Sequence, residues 1–534
     1  MVLSWGHCRA VLIGAWMCAL MLQGFGVAQA STEALDLDIV KSSSLMQKDY
    51  VVRAAPVEEL AREEPELPDL DQFTLAQVEK KIDRKTRGRV GYRRLVEILE
   101  LSEFTGGDNR LVQWAVRQGR NPVAIVIERG YLTPRDLLKA LPPRHFEEVE
   151  AGVYLLRLPL FIAQGATLHI DDKTRDFRMS EESGAFLVND GKLFITNSAL
   201  TAWREGDKGP ATFVDGKKYR PFLLAWGGTE TYIAHSTVSS LGYAASKSYG
   251  ISISQYSPGM VDRMDRPSPK AWLIDSEFVD NWYGFYCYEA DDLVIARNTY
   301  RDNIVYGIDP HDRSHRLIIA ENEVFGTRKK HGIIVSREVN DSWIFRNRSH
   351  KNGLSGVVLD RSSVNNVVAH NTAFDNASDG FTIYESPDNL LWNNHAVGNH
   401  RHGIRVRNSV RVKLYQNRSI GNGSSGIYGH IKDLRGTDRD LRLDPFEQTV
   451  SLVVVGGQLT HNHSGPVAID SPLSLELYDV DLLAPTKSAD PTAPACRHRA
   501  GGRRRSRELR KRTWSSHPTS SCFCSCRYSW RPIT

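Results

Sequence analysis

Seven glycines, Gly284, Gly307, Gly332, Gly356, Gly380, Gly403 and Gly426, follow one another at steps of 23, 25, 24, 24, 23 and 23 residues. Six asparagines in the same stretch, Asn298, Asn322, Asn347, Asn371, Asn394 and Asn417, keep steps of 24, 25, 24, 23 and 23. Two residue types holding one period restrict this part of the chain to a solenoid, in which each copy is one coil stacked on the next. Leucine-rich repeats need Leu at several fixed offsets, and helical repeats are longer and rich in Ala and Leu. Here the copies read Gly332-Ile333-Ile334-Val335, Gly356-Val357-Val358-Leu359, Gly380-Phe381-Thr382-Ile383 and Gly403-Ile404-Arg405-Val406. β-Branched and aromatic residues alternating with polar ones, between turns such as Ser386-Pro387-Asp388-Asn389, predict short strands. The fold class is therefore all-β, a right-handed parallel β-helix with coils of 23–25 residues rising roughly 4.8 Å each. The recurring Asn is expected to stack inside as an amide ladder.

Alternation also sorts the side chains by face. Counting from each Gly, offsets one and three are apolar and predicted to point inward. Offset two places Tyr286, Asp309, Thr382 and Arg405 in one outward row, and offset four places Tyr288, His311, Ser336, Asp360, Tyr384 and Arg407 in the next. At the strand edge follow Glu289, Asp312, Arg337, Arg361, Glu385 and Asn408. A wall of aromatics, acids and arginines suits a long sugar polymer carrying carboxylates better than a protein core. Arg328, Lys329 and Lys330 extend the cationic set, and only the row as a whole is informative.

The rest of the chain sets the context. Arg9 precedes an apolar stretch from Ala10 to Val27, and Ala28-Gln29-Ala30 is a small-x-small cleavage site. Residues 1–30 are read as a secretory signal peptide. The stretch is short for a span, and no later segment is apolar enough to cross a bilayer, so no membrane span is expected after cleavage. Residues 31–150 are assigned to an N-terminal extension and helical cap, with helical spacing from Thr74 to Lys85 and from Gly91 to Leu101, and a capped helix opening at Thr133-Pro134-Arg135-Asp136. Residues 151–480 are assigned to the β-helix. Residues 481–534 form a tail that from about 489 shares no pattern with anything upstream and reads as a frame error.

That tail also corrects the charge. The whole chain is +5, but residues 489–534 contribute +9 and the leader +1, which leaves a body of −5. The basicity therefore does not argue for nucleic acid. Cys287 alone remains in the body, at an inward offset, and is expected to be a buried small hydrophobe rather than a nucleophile. There is no disulfide framework and no paired-Cys metal site there. Paired acids such as Asp291-Asp292 read as turn residues, and neither a cofactor nor a metal is expected.

One copy of the repeat is broken by Asp309-Pro310-His311-Asp312-Arg313-Ser314-His315. Together with Trp282-Tyr283-Gly284-Phe285-Tyr286-Cys287-Tyr288-Glu289, Lys330-His331-Gly332-Ile333-Ile334-Val335-Ser336-Arg337 and Tyr428-Gly429-His430-Ile431-Lys432-Asp433-Leu434, it resembles the periplasmic mannuronan C5-epimerases of bacterial alginate biosynthesis. The resemblance runs from roughly Pro68 to Ser488. It implies a periplasmic isomerase that inverts β-D-mannuronate to α-L-guluronate within a polymer, a polymannuronate substrate, and partners in the alginate secretion complex. It puts the catalytic base on His311 and the carboxylate-neutralising cation on Arg337. Asp309 and Asp312, as neighbouring carboxylates that favour imidazolium, are expected to orient the histidine and tune its pKa. Water, Tyr286 or Tyr384 would return the proton from the opposite face. Tyr286, Tyr288, Asp360, Arg361, Tyr384, Glu385, Arg405 and Arg407 are the expected polymer-binding residues. Three other readings use the same wall: a polysaccharide lyase, a glycoside hydrolase built on Asp309, Asp312, Asp360 and Glu385, and a non-catalytic binding scaffold.

Overall fold

The structure, a computed structural model, describes residues 50–53, 63–98, 101, 119, 121–245, 247–256, 264–483 and 525–532. The expected signal peptide and all of the basic tail before 525 lie outside the described residues. The chain divides into two units, Met1–Ala54 with Ser529–Thr534, and Ala55–Tyr528. In the first, residues 50–53 pair antiparallel with residues 529–532. The second unit holds everything described below.

Each coil supplies three short strands, and each strand pairs in parallel with its equivalent one coil later. One coil is Tyr283–Tyr288, Val294–Ala296 and Thr299–Arg301, and the next is Tyr306–His311, Ile318–Ala320 and Glu323–Phe325. Their register runs Tyr288 to His311, Ala296 to Ala320 and Arg301 to Phe325. Three parallel sheets result, called first, second and third in that order: a parallel β-helix.

The sequence period has two physical causes. A Cβ on Gly380 would stand 2.7 Å from the carbonyl oxygen of Gly403, and one on Gly284 would stand 2.4 Å from that of Gly307. Coils approach too closely at this corner for any side chain, so Gly recurs once per turn. The asparagines form the expected ladder. The Oδ1 of Asn347 accepts from the backbone and side-chain amides of Asn322 at 3.0 and 2.9 Å, and its Nδ2 donates to Asn371 Oδ1 at 2.9 Å and to the Ile319 carbonyl at 2.8 Å. A second ladder, Asn352, Asn376, Asn399, Asn422 and Asn462, runs parallel to it at another corner. The interior is apolar at the expected offsets, with Ile308, Ile333, Val335, Val357, Leu359, Phe381, Ile383, Ile404 and Val406 in one buried core. Cys287 is among them, and burial pushes its thiol up to about 12, which suits a packing role.

The N-terminal region departs from its expected form. Where a helix from Gly91 is expected, Arg89–Arg94 is a strand, antiparallel to Val123–Leu132, and a short 3-10 turn, Leu95–Glu97, follows; residues 99–100 lie outside the described residues. Val123–Leu132 itself pairs in parallel with Leu160–Ile162 and Ala166–Ile170. An unpaired ladder of N–H and C=O groups on that strand attracts a strand more strongly than spacing attracts a helix. The helix Pro134–Ala140 forms as expected, with the Asp136 carboxylate accepting from the Thr133 amide at 3.2 Å and hydroxyl at 2.9 Å, and its Leu137 joins the interior core. The helix Leu75–Lys80 is shorter than its spacing suggests. It lies on the outer face of the second sheet, where Leu70, Phe73, Val78 and Ile82 cover Phe194, Tyr232 and Ile274.

Two features position the groove on the first sheet. Along its offset-two row the chain places Val126, Phe161, Val188, Leu224, Ser252, Tyr286 and Asp309 in register. The first four are buried under Leu95, Ile98, Phe222 and Trp226. The row first turns polar at Ser252, and Tyr286 and Asp309 follow. At the other end the period is interrupted: the ladder steps 40 residues from Asn422 to Asn462, because residues 431–450 intervene between Ser425–His430 and Ser451–Val455.

Candidate active site

The outward rows keep the register read from the sequence. His311 stands beside Tyr288 on one side and Ser336 on the other, followed by Asp360, Tyr384, Arg407 and His430. Asp309 stands beside Tyr286 in the parallel row, where the buried Ile334 and Val358 fill the next two coils before Thr382 and Arg405. At about 4.8 Å per coil, Arg407 lies roughly 19 Å along the groove from His311.

Every strand of this wall ends on a residue in the left-handed region: Glu289 (φ 48°), Asp312 (41°), Arg337 (63°), Arg361 (56°), Glu385 (47°) and Asn408 (48°). Adjacent residues in an extended strand point to opposite faces. A left-handed residue abolishes that rule and returns the strand-edge side chain to the groove. Asp312 thereby meets its own neighbour, its Oδ2 hydrogen-bonded to His311 Nδ1. The Nε2 of His311 has no hydrogen-bond partner among the described residues. The other oxygen of Asp312 accepts from Arg337 Nη1 at 3.0 Å, so His311, Asp312 and Arg337 form one linked chain across two coils.

The insert between Ser425–His430 and Ser451–Val455 reaches this chain. Asp444 accepts from Arg337 Nε at 2.8 Å and Nη2 at 2.9 Å, and approaches Arg361 Nη1 at 3.6 Å. Arg439 binds Glu385 at 2.6 Å. Neither Asp444 nor Arg439 is apparent from the repeat, which the insert interrupts. The signal that marks them is the long ladder step, filled with Asp433, Arg435, Asp438, Arg439, Asp440, Arg442 and Asp444.

Burial and charge set the protonation states. For His311, burial opposes the imidazolium, but the Asp312 hydrogen bond and the Asp309 and Asp312 charges outweigh it, and its pKa is raised. His331 and His430 are both lowered to about 4, by burial and by Lys330 and Arg405 respectively. Burial likewise pushes Asp309 up to about 7, against the His311 and Lys330 charges, and its Oδ1 is buried without a partner. Burial would raise Asp312 as well, but His311 and Arg337 hold it below the usual carboxylate range. Tyr286, whose ring centroid is 6.0 Å from that of His311, is raised well above its ordinary value by burial.

The remaining wall residues divide into two groups. Tyr288 accepts from Arg313 Nη2 at 3.2 Å and lies under the Lys247 ammonium at 3.5 Å. Asp360 pairs with Arg361 Nε at 3.3 Å. Further along, Arg407 stacks on Tyr384 at 3.8 Å and grips Glu385 through two bonds of 2.7 and 2.9 Å. Arg405 donates to His430 Nε2 at 3.1 Å and faces Asp379 at 3.7 Å. Glu385 and Arg407 are thus paired with each other and Arg405 is held by His430 and Asp379, whereas His311, Asp312, Arg337, Asp360 and Arg361 cluster within three coils. This arrangement can take a proton at His311 Nε2 and offers guanidinium groups within one or two coils of it.

Comparison with known proteins identifies relatives of the chain. A family model described as periplasmic copper-binding protein (NosD) matches residues 236–433. Among the described residues no three His, Cys, Asp or Glu side chains converge as metal ligands, so no step here is routed through copper. A mannuronan C5-epimerase of Pseudomonas putida is 57% identical over 471 residues, covering 88% of this chain and 91% of the relative. The mannuronan C5-epimerase AlgG of Azotobacter vinelandii is 57% identical over 446 residues, 84% of this chain and 85% of its own length. The crystal structure of the periplasmic alginate epimerase AlgG superposes with a TM-score of 0.77 at 55% identity, over 78% of this chain and 99% of that one. By sequence over most of its length and by fold, the chain belongs to the mannuronan C5-epimerase family.

Proposed function

We propose that the protein epimerises β-D-mannuronate to α-L-guluronate within polymannuronate in the periplasm, with His311 as the base and Arg337 as the cation facing the substrate carboxylate. The observation that carries this reading is the linked chain of His311, Asp312 and Arg337 on the polar part of the first sheet. The C5–H bond lies α to a carboxylate. Its cleavage moves an electron pair into that carboxylate, which is prohibitive unless a cation takes up the charge. His311 Nε2 receives the proton while Asp312, on Nδ1, stabilises the imidazolium that forms. Arg337 balances the second negative charge on the enediolate. A proton then adds to C5 from the opposite face; water is the donor that the family resemblance suggests, and burial, which raises the pKa of Tyr286 and of Tyr384, makes each a weaker acid than an ordinary tyrosine. The hydroxide left behind recovers the proton from His311, and the sugar is inverted with no other net change.

The acid-and-arginine wall beyond Asp360 supports a polymer lying along the coils, each coil being about as tall as one sugar unit is long. Partners in an alginate secretion complex follow from the family resemblance alone. Incubation of the purified protein with polymannuronate in D2O tests the reading. Guluronate H1 signals without the matching H5 signal, C5 now carrying deuterium, are expected in proton NMR, and His311→Ala should abolish them. Unsaturated ends would instead identify a lyase, and new reducing ends a hydrolase.

A further inference from the structure

From the insert at residues 431–450 we infer a positioning residue for the reaction: Asp444 holds the Arg337 guanidinium side-on and so fixes the edge that meets the substrate carboxylate. This inference rests on the role given to Arg337 above. Arg337 is carried on a strand-edge turn at φ 63°, with a long side chain and 22% of it exposed, so its own coil does not determine where its charge sits. Two carboxylates do. Asp444 takes Nε and Nη2, the side edge, and Asp312 takes Nη1. A guanidinium has five N–H donors in a fixed fork. These three bonds leave one N–H on each of Nη1 and Nη2 for a third carboxylate.

Asp444 is itself well placed to be rigid. Its side chain is only 3% exposed, its backbone N–H donates to the Asp440 carbonyl at 2.8 Å, and it also faces Arg361 at 3.6 Å. The same insert is anchored a coil further along by Arg439 on Glu385, which is 1% exposed at its side chain. Residues separated by 107 positions are thereby joined by two parallel charge-assisted bonds, the geometry that restricts a guanidinium to one plane. Misplacing a reacting group by about 1 Å costs on the order of 10²-fold in rate.

The test is steady-state epimerisation of polymannuronate by Asp444→Asn, Asp444→Glu and Arg337→Lys, singly and combined. Asp444→Asn is expected to lower kcat on the order of 10²-fold with a much smaller change in KM, and Asp444→Glu to recover part of it. In the Arg337→Lys background, where no side edge exists to be held, Asp444→Asn should have little further effect. A normal kcat in Asp444→Asn, a lowered KM that marks Asp444 as a competitor of the substrate carboxylate, or an equal loss in both backgrounds would each overturn the inference. Full activity in Arg337→Ala would instead overturn the role of Arg337 itself, so the two failures are distinguishable. Near-ultraviolet circular dichroism separates an altered fold from an altered rate.

Discussion

His311 is hydrogen-bonded through Nδ1 to the carboxylate of Asp312, the next residue in the chain, because Asp312 leaves the strand in a left-handed conformation. The bond fixes which ring nitrogen faces the groove, and together with the Asp309 and Asp312 charges it lifts the imidazole above its ordinary 6.5 despite burial. A base works only when unprotonated. Activity is therefore expected to rise with pH through a midpoint above 6.5 and then level off. Asp312→Asn removes the stabilising charge, so the midpoint moves to lower pH while the plateau falls by about 10²-fold through lost orientation. Rate profiles from pH 5 to 9 check this, and an unmoved midpoint would count against Asp312 as the tuning group.

Asp309 supplies a second pH signature, in stability. Its folded pKa of about 7 lies above the ordinary 3.8 because the carboxylate is buried among Tyr283, Tyr286 and Tyr306. A raised acid keeps its proton in the folded state after the unfolded chain has lost it. Its stabilising contribution is therefore complete below about 3.8 and is lost as pH rises through about 7. Asp309→Asn imitates the protonated acid at every pH. The melting temperature of this variant relative to the parent should climb between pH 4 and pH 8, by the equivalent of up to about 4 kcal/mol. A constant offset across that range would show that Asp309 does not titrate there.

The solenoid was readable because its causes are local and repeated. A Gly where coils touch and an Asn that must bond its equivalents leave one residue type per period, and alternation then sorts the faces. The rows of Tyr288, His311, Asp360, Tyr384 and Arg407 came out in register for that reason. What the period cannot carry is contact across coils by a segment outside it. Asp444 and Arg439 act from an insert with no repeat signal, and Arg89–Arg94 became a strand only because a neighbouring edge needed covering. The second Asn ladder steps 24, 23 and 23 residues from Asn352 to Asn422, but Thr327 takes the place of Asn one coil earlier, so its period is shorter-lived in the sequence.

The ladder makes a quantitative claim. Asn347→Ala removes four side-chain hydrogen bonds inside a buried corner, leaves the Asn322 backbone amide without its acceptor, and takes one partner each from the Asn322 side chain, Asn371 Oδ1 and the Ile319 carbonyl. A loss of about 3–5 kcal/mol is expected, each orphaned buried group costing on the order of 1–3. Arg348→Ala, on a side chain 59% exposed in the same coil, should change stability by less than about 0.5 kcal/mol. Urea unfolding followed by circular dichroism compares the two, and similar midpoints would mean the ladder contributes little.

Arg361 separates the demands of backbone and function at one position. Its φ of 56° is a conformation that costs a non-glycine residue on the order of 1 kcal/mol, and that Gly adopts freely. Its pairs with Asp360 at 3.3 Å and Asp444 at 3.6 Å involve a side chain 36% exposed, so their loss offsets only part of the relieved strain. Arg361→Gly should accordingly keep its melting temperature to within about 1 kcal/mol of the parent, while KM for polymannuronate rises because a groove cation is gone. Arg361→Val loses the same charge but places a β-branched residue in the left-handed region, where it is an outlier. Valine should therefore be clearly less stable than glycine at this site, with a similar KM. The reverse order of stability would show that the turn is free to relax, and that the charged residues ending each strand are not held against the groove by their backbone.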